Sequence, residues 1–286
     1  MKKKQCIIVI PVYNPSPKDS EIASFKQGLK ILGTHEISLI THKKCDLTLY
    51  DSIIKESGRN VGIQYFDSNY FSSVEGYNNL CMSIEFYDRF SDYEYMLIYQ
   101  LDAWVFRDEL DYWCDKGYDY IGAPLFYSIN SMKFTTKFYG VGNGGFCLRR
   151  ISHCVNILKA NQIKPFIKPI PLIQFHWNFL LYCDEYKSLV MRLRILLVLC
   201  LKMFGIFNNI HHYRKRQVNE DLIFGSFSTK SWGVDGNIPD YNEAIQFSFE
   251  LHPALLYEQN NKRLPFGCHA FEKWDYATFW KDYIKF

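Results

Sequence analysis

Apolar positions along the chain fall into short blocks whose spacing switches between two periods. CIIVIPV, Cys6 to Val12, is an unbroken apolar run with the length and β-branching of a buried strand, and the prolines of YNPSP close it. From Lys18 to Leu32, the residues Ile22, Phe25, Leu29 and Leu32 recur at helical spacing until Gly33 stops the pattern. EISLIT, Glu36 to Thr41, predicts a second strand and VGIQYFD a third; a helix follows from about Val74 to Phe90, then the strand YMLIYQL. Strand, helix, strand at this spacing opens a parallel α/β sheet. YDYIGAPLF and the glycine-rich YGVGNGGFCLRR come next. Beyond Arg150 the order loosens into the proline-punctuated Pro165 to Pro171 and the aromatic FHWNFLLY. The last forty or so residues predict short strands and loops, and no repeat or low-complexity tract interrupts the chain.

Length and composition narrow the class. The 286 residues suit one large α/β domain with insertions, and 48% hydrophobic against 22% charged residues supply a core and exclude a disordered chain. A net charge of +3 argues against a dedicated nucleic-acid binder, which needs a concentrated basic surface. Aromatic residues at 17% could supply a stacking platform for sugars or bases, but an aromatic-rich core accounts for them more readily. Nine cysteines without a CxxC pair match no zinc pattern and point to reduced thiols, hence a cytoplasmic setting. The opening does not read as a signal peptide, since its apolar stretch is short and meets Pro11.

SLVMRLRILLVLCLKMFGIF, Ser188 to Phe207, looks membrane-like, yet Arg192, Arg194 and Lys202 interrupt it. Its longest charge-free run, Ile195 to Leu201, falls far below the roughly 18 residues of a spanning helix. HHYRKR, His211 to Arg216, follows without an acid. The segment of about 186–217 reads either as an inserted basic amphipathic helix lying on anionic lipid or as a buried helix with snorkelling arginines. His211 and His212 read as solvated or lipid-facing.

Chemistry enters at YMLIYQLDAWVF, where Asp102 interrupts a run built for burial. Ligands in open α/β sheets sit at the carboxyl ends of parallel strands, and a carboxylate there holds a divalent cation, which in turn holds a diphosphate. Gln100, two residues earlier, falls on the same strand face and offers a carbonyl oxygen to a ribose hydroxyl or a water. The plainer reading is that Asp102 caps the following turn. GVGNGGF carries Asn143, Gly144 and Gly145, which let backbone approach a ligand or form a tight hairpin; it is no phosphate fingerprint. NEDLIFG places Glu220 and Asp221 where acids also favour a helix N-terminus capped by Asn219. His269 lies in PFGCHAFEKW, framed by Gly267 and aromatics. No GxSxG or comparable nucleophile motif is present.

IVIPVYN, YMLIYQLDAWVF, YDYIGAP, GNGGFCLRR, NEDLIFG and PFGCHAFEKW, in that order from Ile7 to Trp274, resemble the nucleotide-sugar-dependent glycosyltransferases of GT-A fold. More narrowly they resemble a bacterial family associated with polysaccharide synthesis. The resemblance implies a single domain with a mostly parallel central sheet flanked by helices. A nucleotide-binding part would span about 1–125 and an acceptor-side part about 126–286. It implies that QLD stands for the Asp-x-Asp motif, with Asp102 on Mn2+ or Mg2+ and Gln100 replacing the first acid, which leaves metal dependence open. His269 would complete the metal shell or touch the diphosphate. Pro11 and Tyr13 would cradle the nucleoside, Asn143, Gly144 and Gly145 the sugar, and DSNYFSSVEGYNN would line the nucleotide side. Asp221, with Glu220 as the alternative, would be the general base of an inverting transfer.

The expected activity is transfer of a sugar from a nucleotide diphosphate donor, a UDP-sugar first among them, to a glycan or lipid-linked acceptor in bacterial surface polysaccharide synthesis. The enzyme would work in the cytoplasm or at the inner face of the cell membrane. Two other classes stay open. A nucleotidyltransferase shares the sheet, although PVYNPSP is neither glycine-rich nor basic. A non-catalytic sugar- or nucleotide-binding scaffold fits the missing acid at Gln100.

Overall fold

A computed structural model describes residues 3–130, 133–160, 188–203, 206, 210–225 and 236–286. Pro165 to Pro171, the aromatic Phe175 to Tyr182 and the side chain of His211 lie outside the described residues.

The elements run β1 (Lys4–Pro11), α1 (Asp19–Ile31), β2 (Glu36–Thr41), α2 (Thr48–Ser57), β3 (Val61–Tyr65), α3 (Val74–Cys81), α4 (Ile84–Asp88) and β4 (Tyr93–Tyr99). Then come β5 (Trp104–Val105), α5 (Leu110–Asp115), β6 (Tyr120–Ile121), β7 (Pro124–Asn130), β8 (Lys133–Val141), β9 (Phe146–Arg150) and α6 (Ile151–Ala160). The chain continues with α7 (Leu189–Met203), α8 (Ile210–Lys215), α9 (Glu220–Phe224), α10 (Tyr241–Phe247), β10 (Ser248–Phe249), α11 (Pro253–Gln259) and β11 (Gly267–Cys268).

Six strands form the central sheet in the order β3-β2-β1-β4-β9-β6. The first four are mutually parallel; β9 runs antiparallel between β4 and β6. The strands are apolar on both sides because both faces are covered. Along β4, Met96 and Ile98 enter one core with α3, α4 and α6, while Tyr95, Leu97 and Tyr99 enter the other with α1, α2 and α5. Each fully buried side chain of this kind contributes roughly 1.5–3 kcal/mol, so the register of the central strands is strongly held. A small sheet, β10-β11-β5, joins the C-terminal part to the segment after β4.

The apolar pattern located the central strands, and the structure differs from it at four places. The helix predicted from Val74 to Phe90 breaks at Met82, because Ser83 accepts from the Phe86 N–H and starts α4 anew. α2 was hidden, its short amphipathic face carried by Tyr50 and Ile53. The basic segment of about 186–217 is not one helix: α7 and α8 are separate, and α7 is apolar on both its inner and outer sides. The C-terminal stretch expected as short strands and loops also carries α10 and α11.

Candidate functional site

β4 ends at Tyr99, two residues before the strand predicted through Leu101. Gln100 and Asp102 therefore sit on a turn, closed by the Ala103 N–H donating to the Gln100 carbonyl at 2.9 Å, and do not share a strand face. α1 pins that turn from below. Ser24 Oγ donates to the Ala103 carbonyl at 2.6 Å, and Gln27 Nε2 donates to the Val105 carbonyl at 2.8 Å. A buried helix face thus fixes where the acid points.

Above the turn opens a cleft of about 840 Å3, within the size of small-ligand sites. Pro11, Tyr13, Gln100 and Asp102 line it, as do Tyr70, Phe71 and Tyr77 from the segment before and within α3. Lys18 and Lys273 face it with Glu21 and Glu272. Tyr13 is 58% exposed at the rim, free to stack on a flat ligand.

The Asp102 carboxylate faces His269. Nε2 of His269 lies 3.2 Å from Asp102 Oδ1, an ion-pair distance without hydrogen-bond alignment. On its other side, Nδ1 meets Glu250 Oε1 at 3.3 Å. Parallel pairing of β10 with β11 makes this contact, since the His269 N–H donates to the Phe249 carbonyl at 3.0 Å. Burial opposes the charged imidazole, but the Asp102 and Glu250 carboxylates outweigh it and hold His269 well above its ordinary pKa. Burial would likewise raise Asp102, yet the imidazolium beside it holds the carboxyl below its usual range. Gly145 makes room for the ring: a Cβ there would stand 2.0 Å from His269 Nε2.

The loop before β9 connects this corner to a buried cluster. Gln100 N–H donates to the Gly145 carbonyl at 2.8 Å. Asn143 takes a positive φ of 75°, its side chain accepting from the Gly145 N–H at 2.9 Å and its own N–H donating to Asp221 Oδ2 at 2.8 Å. Asp221 is buried, and burial together with the neighbouring Glu220 charge pushes its carboxyl up to about 7. Glu220 is tied elsewhere, receiving Arg149 Nη2 at 2.6 Å in a pair with almost no exposure. Asn219 precedes α9 but its side chain makes no cap; it accepts from Asn78 Nδ2 at 3.3 Å.

The predicted residues thus form two floors. Pro11, Tyr13, Gln100 and Asp102 line the cleft, whereas Asn143, Gly144, Gly145, Glu220 and Asp221 stand behind it, with His269 between the two. Glu250 and Arg149 were missed, whereas Tyr70, Phe71 and Tyr77 come from DSNYFSSVEGYNN, which was expected to line the nucleotide side. Glu250 hides in the apolar alternation of FSFELHP, and only the β10–β11 register brings it to His269.

Asp102 and His269 fit a divalent cation as a partial site. His269 Nε2 has no hydrogen-bond partner and is aimed at a carboxylate, while Glu250 orients the ring through Nδ1, the usual support for a metal-binding histidine. Among the described residues no group of three or more His, Cys, Asp or Glu side chains is placed to hold a metal. The remaining ligands of such an ion must come from substrate and water, which is how Mg2+ is commonly held.

A family profile described as "Protein of unknown function (DUF5672)" matches residues 60–269. No curated protein matches the chain. Among solved structures, core-mannan synthase A from Aspergillus fumigatus in its Mn/GDP form aligns at 9% identity over 53% of this chain and 60% of that one, with a TM-score of 0.40. The mannosyltransferase Ktr4p from S. cerevisiae aligns at 13% identity over 55% and 60%, also at 0.40. S. aureus TarS aligns at 13% identity over 56% and 30%, at 0.35. The chain covers less than two thirds of each of these proteins, and scores this low leave the functional argument to the site itself.

Proposed function

The chain belongs to the DUF5672 family, and we propose that it is a glycosyltransferase of GT-A fold, moving a sugar from a nucleotide diphosphate donor to a hydroxyl of a glycan or lipid-linked acceptor. The observation that carries this reading is the setting of Asp102: a carboxylate kept ionised at the end of a central parallel strand, inside a nucleotide-sized cleft. Tyr13 stacks on the base, Gln100 meets a ribose hydroxyl or a water, and Pro11 closes the cradle. Residues of about 1–125 form the donor side and about 126–286 the acceptor side. Asn143, Gly144 and Gly145, which stand just behind the cleft, are assigned to the sugar side. The donor is a UDP-sugar and the setting bacterial surface polysaccharide synthesis in the cytoplasm, in keeping with eight described cysteines that are all free.

In the transfer, an acceptor oxygen attacks the anomeric carbon. Its proton passes to the Asp221 carboxylate, which lies behind the cleft and would have to be reached past the loop of Asn143, while the bond to the diphosphate breaks and its electron pair leaves with the diphosphate oxygen, so the configuration inverts. A carboxyl pushed up to about 7 suits a base that must accept a proton near neutrality. Glu220 is assigned to the Arg149 ion pair and Asp221 alone to proton transfer. Asp102, and His269 once the ion displaces its Nε2 proton, would hold Mn2+ or Mg2+, whose charge offsets that of the departing diphosphate when it is bound.

A second reading, a scaffold that binds nucleotide without turnover, gains from Gln100 standing where an acid is expected. Thermal unfolding with UDP, GDP, CMP and dTDP, each with manganese or chelator, tests the binding half. A ligand at a hundred times its dissociation constant should stabilise by about 2.7 kcal/mol. The transferase reading expects a manganese-dependent shift with one nucleotide, lost in Asp102→Asn, and release of that nucleotide from its sugar donor. Binding without release supports the scaffold, and no shift with any nucleotide defeats both.

A further inference from the structure

α7 presents an arrangement that the core does not explain. Its inner side packs inward through Leu199 and the half-buried Ile195. Its outer side carries Leu189, Val190, Leu193, Leu196 and Leu197, each at least half exposed and Val190 at 78%. At 3.6 residues per turn these five, with the exposed Cys200, occupy an arc of about 120°. The exposed Arg192 lies just beyond one edge of that arc and the exposed Arg194 just beyond the other. Few soluble surfaces expose so dense an apolar strip, and those that do mark interaction sites.

Charge selects the partner. Between Glu185 and Glu220 the chain has no acid, while Lys187, Arg192, Arg194, Lys202, Arg214, Lys215 and Arg216 are cationic. Lys202 turns inward to the Tyr213 hydroxyl, but Lys215, the last residue of α8, and Arg216 just beyond it are exposed. An apolar strip edged by guanidinium groups is the pattern of a helix seated in a lipid interface, where leucines enter the acyl boundary and arginines reach the headgroups. A protein partner would call for no such one-signed rim. No described helix is long and apolar enough to cross a membrane, so the contact would lie in the plane of the surface.

We propose that the outer face of α7 docks the protein on an anionic phospholipid surface, with Leu193, Leu196 and Leu197 inserted and Arg192 and Arg194 at the headgroups. The proposal goes beyond the sugar-transfer reading and depends only on the exposed face.

The test is flotation of the purified full chain with phosphatidylglycerol-containing vesicles and with pure phosphatidylcholine vesicles, at low and high salt. Expected is binding to the anionic vesicles at least tenfold above the neutral ones, weakened by salt. Leu193→Glu with Leu197→Glu should abolish it, and Arg192→Glu with Arg194→Glu should weaken it at least tenfold. The milder Leu193→Ser with Leu197→Ser, checked for an unchanged melting midpoint, guards against a folding artefact. Equal binding to both vesicle types, no binding, or binding untouched by these variants would overturn the proposal. So would a wild-type dimer that the leucine variants dissolve. Nucleotide-induced stabilisation, measured on the same variants, should not change, which separates this result from the fate of the transferase reading.

Discussion

Two acids near the edge of β9 show how environment assigns chemistry to the same side chain. Asp102 is half-exposed in the cleft, and the imidazolium of His269 keeps it ionised against the effect of burial. Asp221 is buried behind the loop of Asn143, beside the charge of Glu220, and is pushed up to about 7. On the proposed reading, the first holds a charge and the second exchanges a proton. Pairs of titratable groups driven apart in this way mark acid–base assignments.

The sharpest break is Asp102→Asn. It removes the fixed charge and should lower donor turnover on the order of a thousandfold while leaving the fold intact, read by nucleotide release and by an unchanged melting curve without ligand.

Arg149→Met attacks the other acid through its neighbour. It leaves Glu220 buried and unpaired and should cost about 3–5 kcal/mol in denaturant unfolding. Restoring a neutral pair with Glu220→Gln should recover much of that loss.

Asp221→Asn should lower kcat about a hundredfold and yet stabilise the protein in alkaline buffer. The sign follows from proton uptake. Between the ordinary 3.8 and the folded value of about 7, the native state keeps a proton that the unfolded chain has lost. Wild-type stability should therefore fall as pH rises across that window and level off above it, and the Asn variant should lack that slope. The same group predicts that kcat/KM of the wild type rises as pH passes about 7.

Gly145→Ala drives a methyl into the His269 ring and should weaken the manganese-dependent stabilisation by nucleotide about 10–100-fold. The smallest effect belongs to the rim. Tyr13→Ala should weaken nucleotide binding roughly tenfold, a loss of the size expected for one stacked base, measured by titration calorimetry.

Some of this was legible without coordinates. Strands buried on both faces read as continuous apolar runs, so CIIVIPV, EISLIT and YMLIYQL announced the parallel sheet, and an acid breaking such a run could be singled out as Asp102. The helix α2 escaped because two buried residues in ten leave little periodicity. The break of the long helix at Met82 escaped too, since a serine reads equally as a helix interior or a cap until its hydroxyl is seen to accept a bond.

The amino-acid order by itself determined which residues must be buried and which acids stand at strand ends, because periodicity and local propensity act over a few neighbours. Only the tertiary structure decided that Glu250 supports His269, that Arg149 claims Glu220, and that Asp221 is left alone beneath Asn143. Those contacts join residues 19, 71 and 78 positions apart. Their consequences depend on how deeply each charge is withdrawn from water, and sequence spacing carries no measure of that depth.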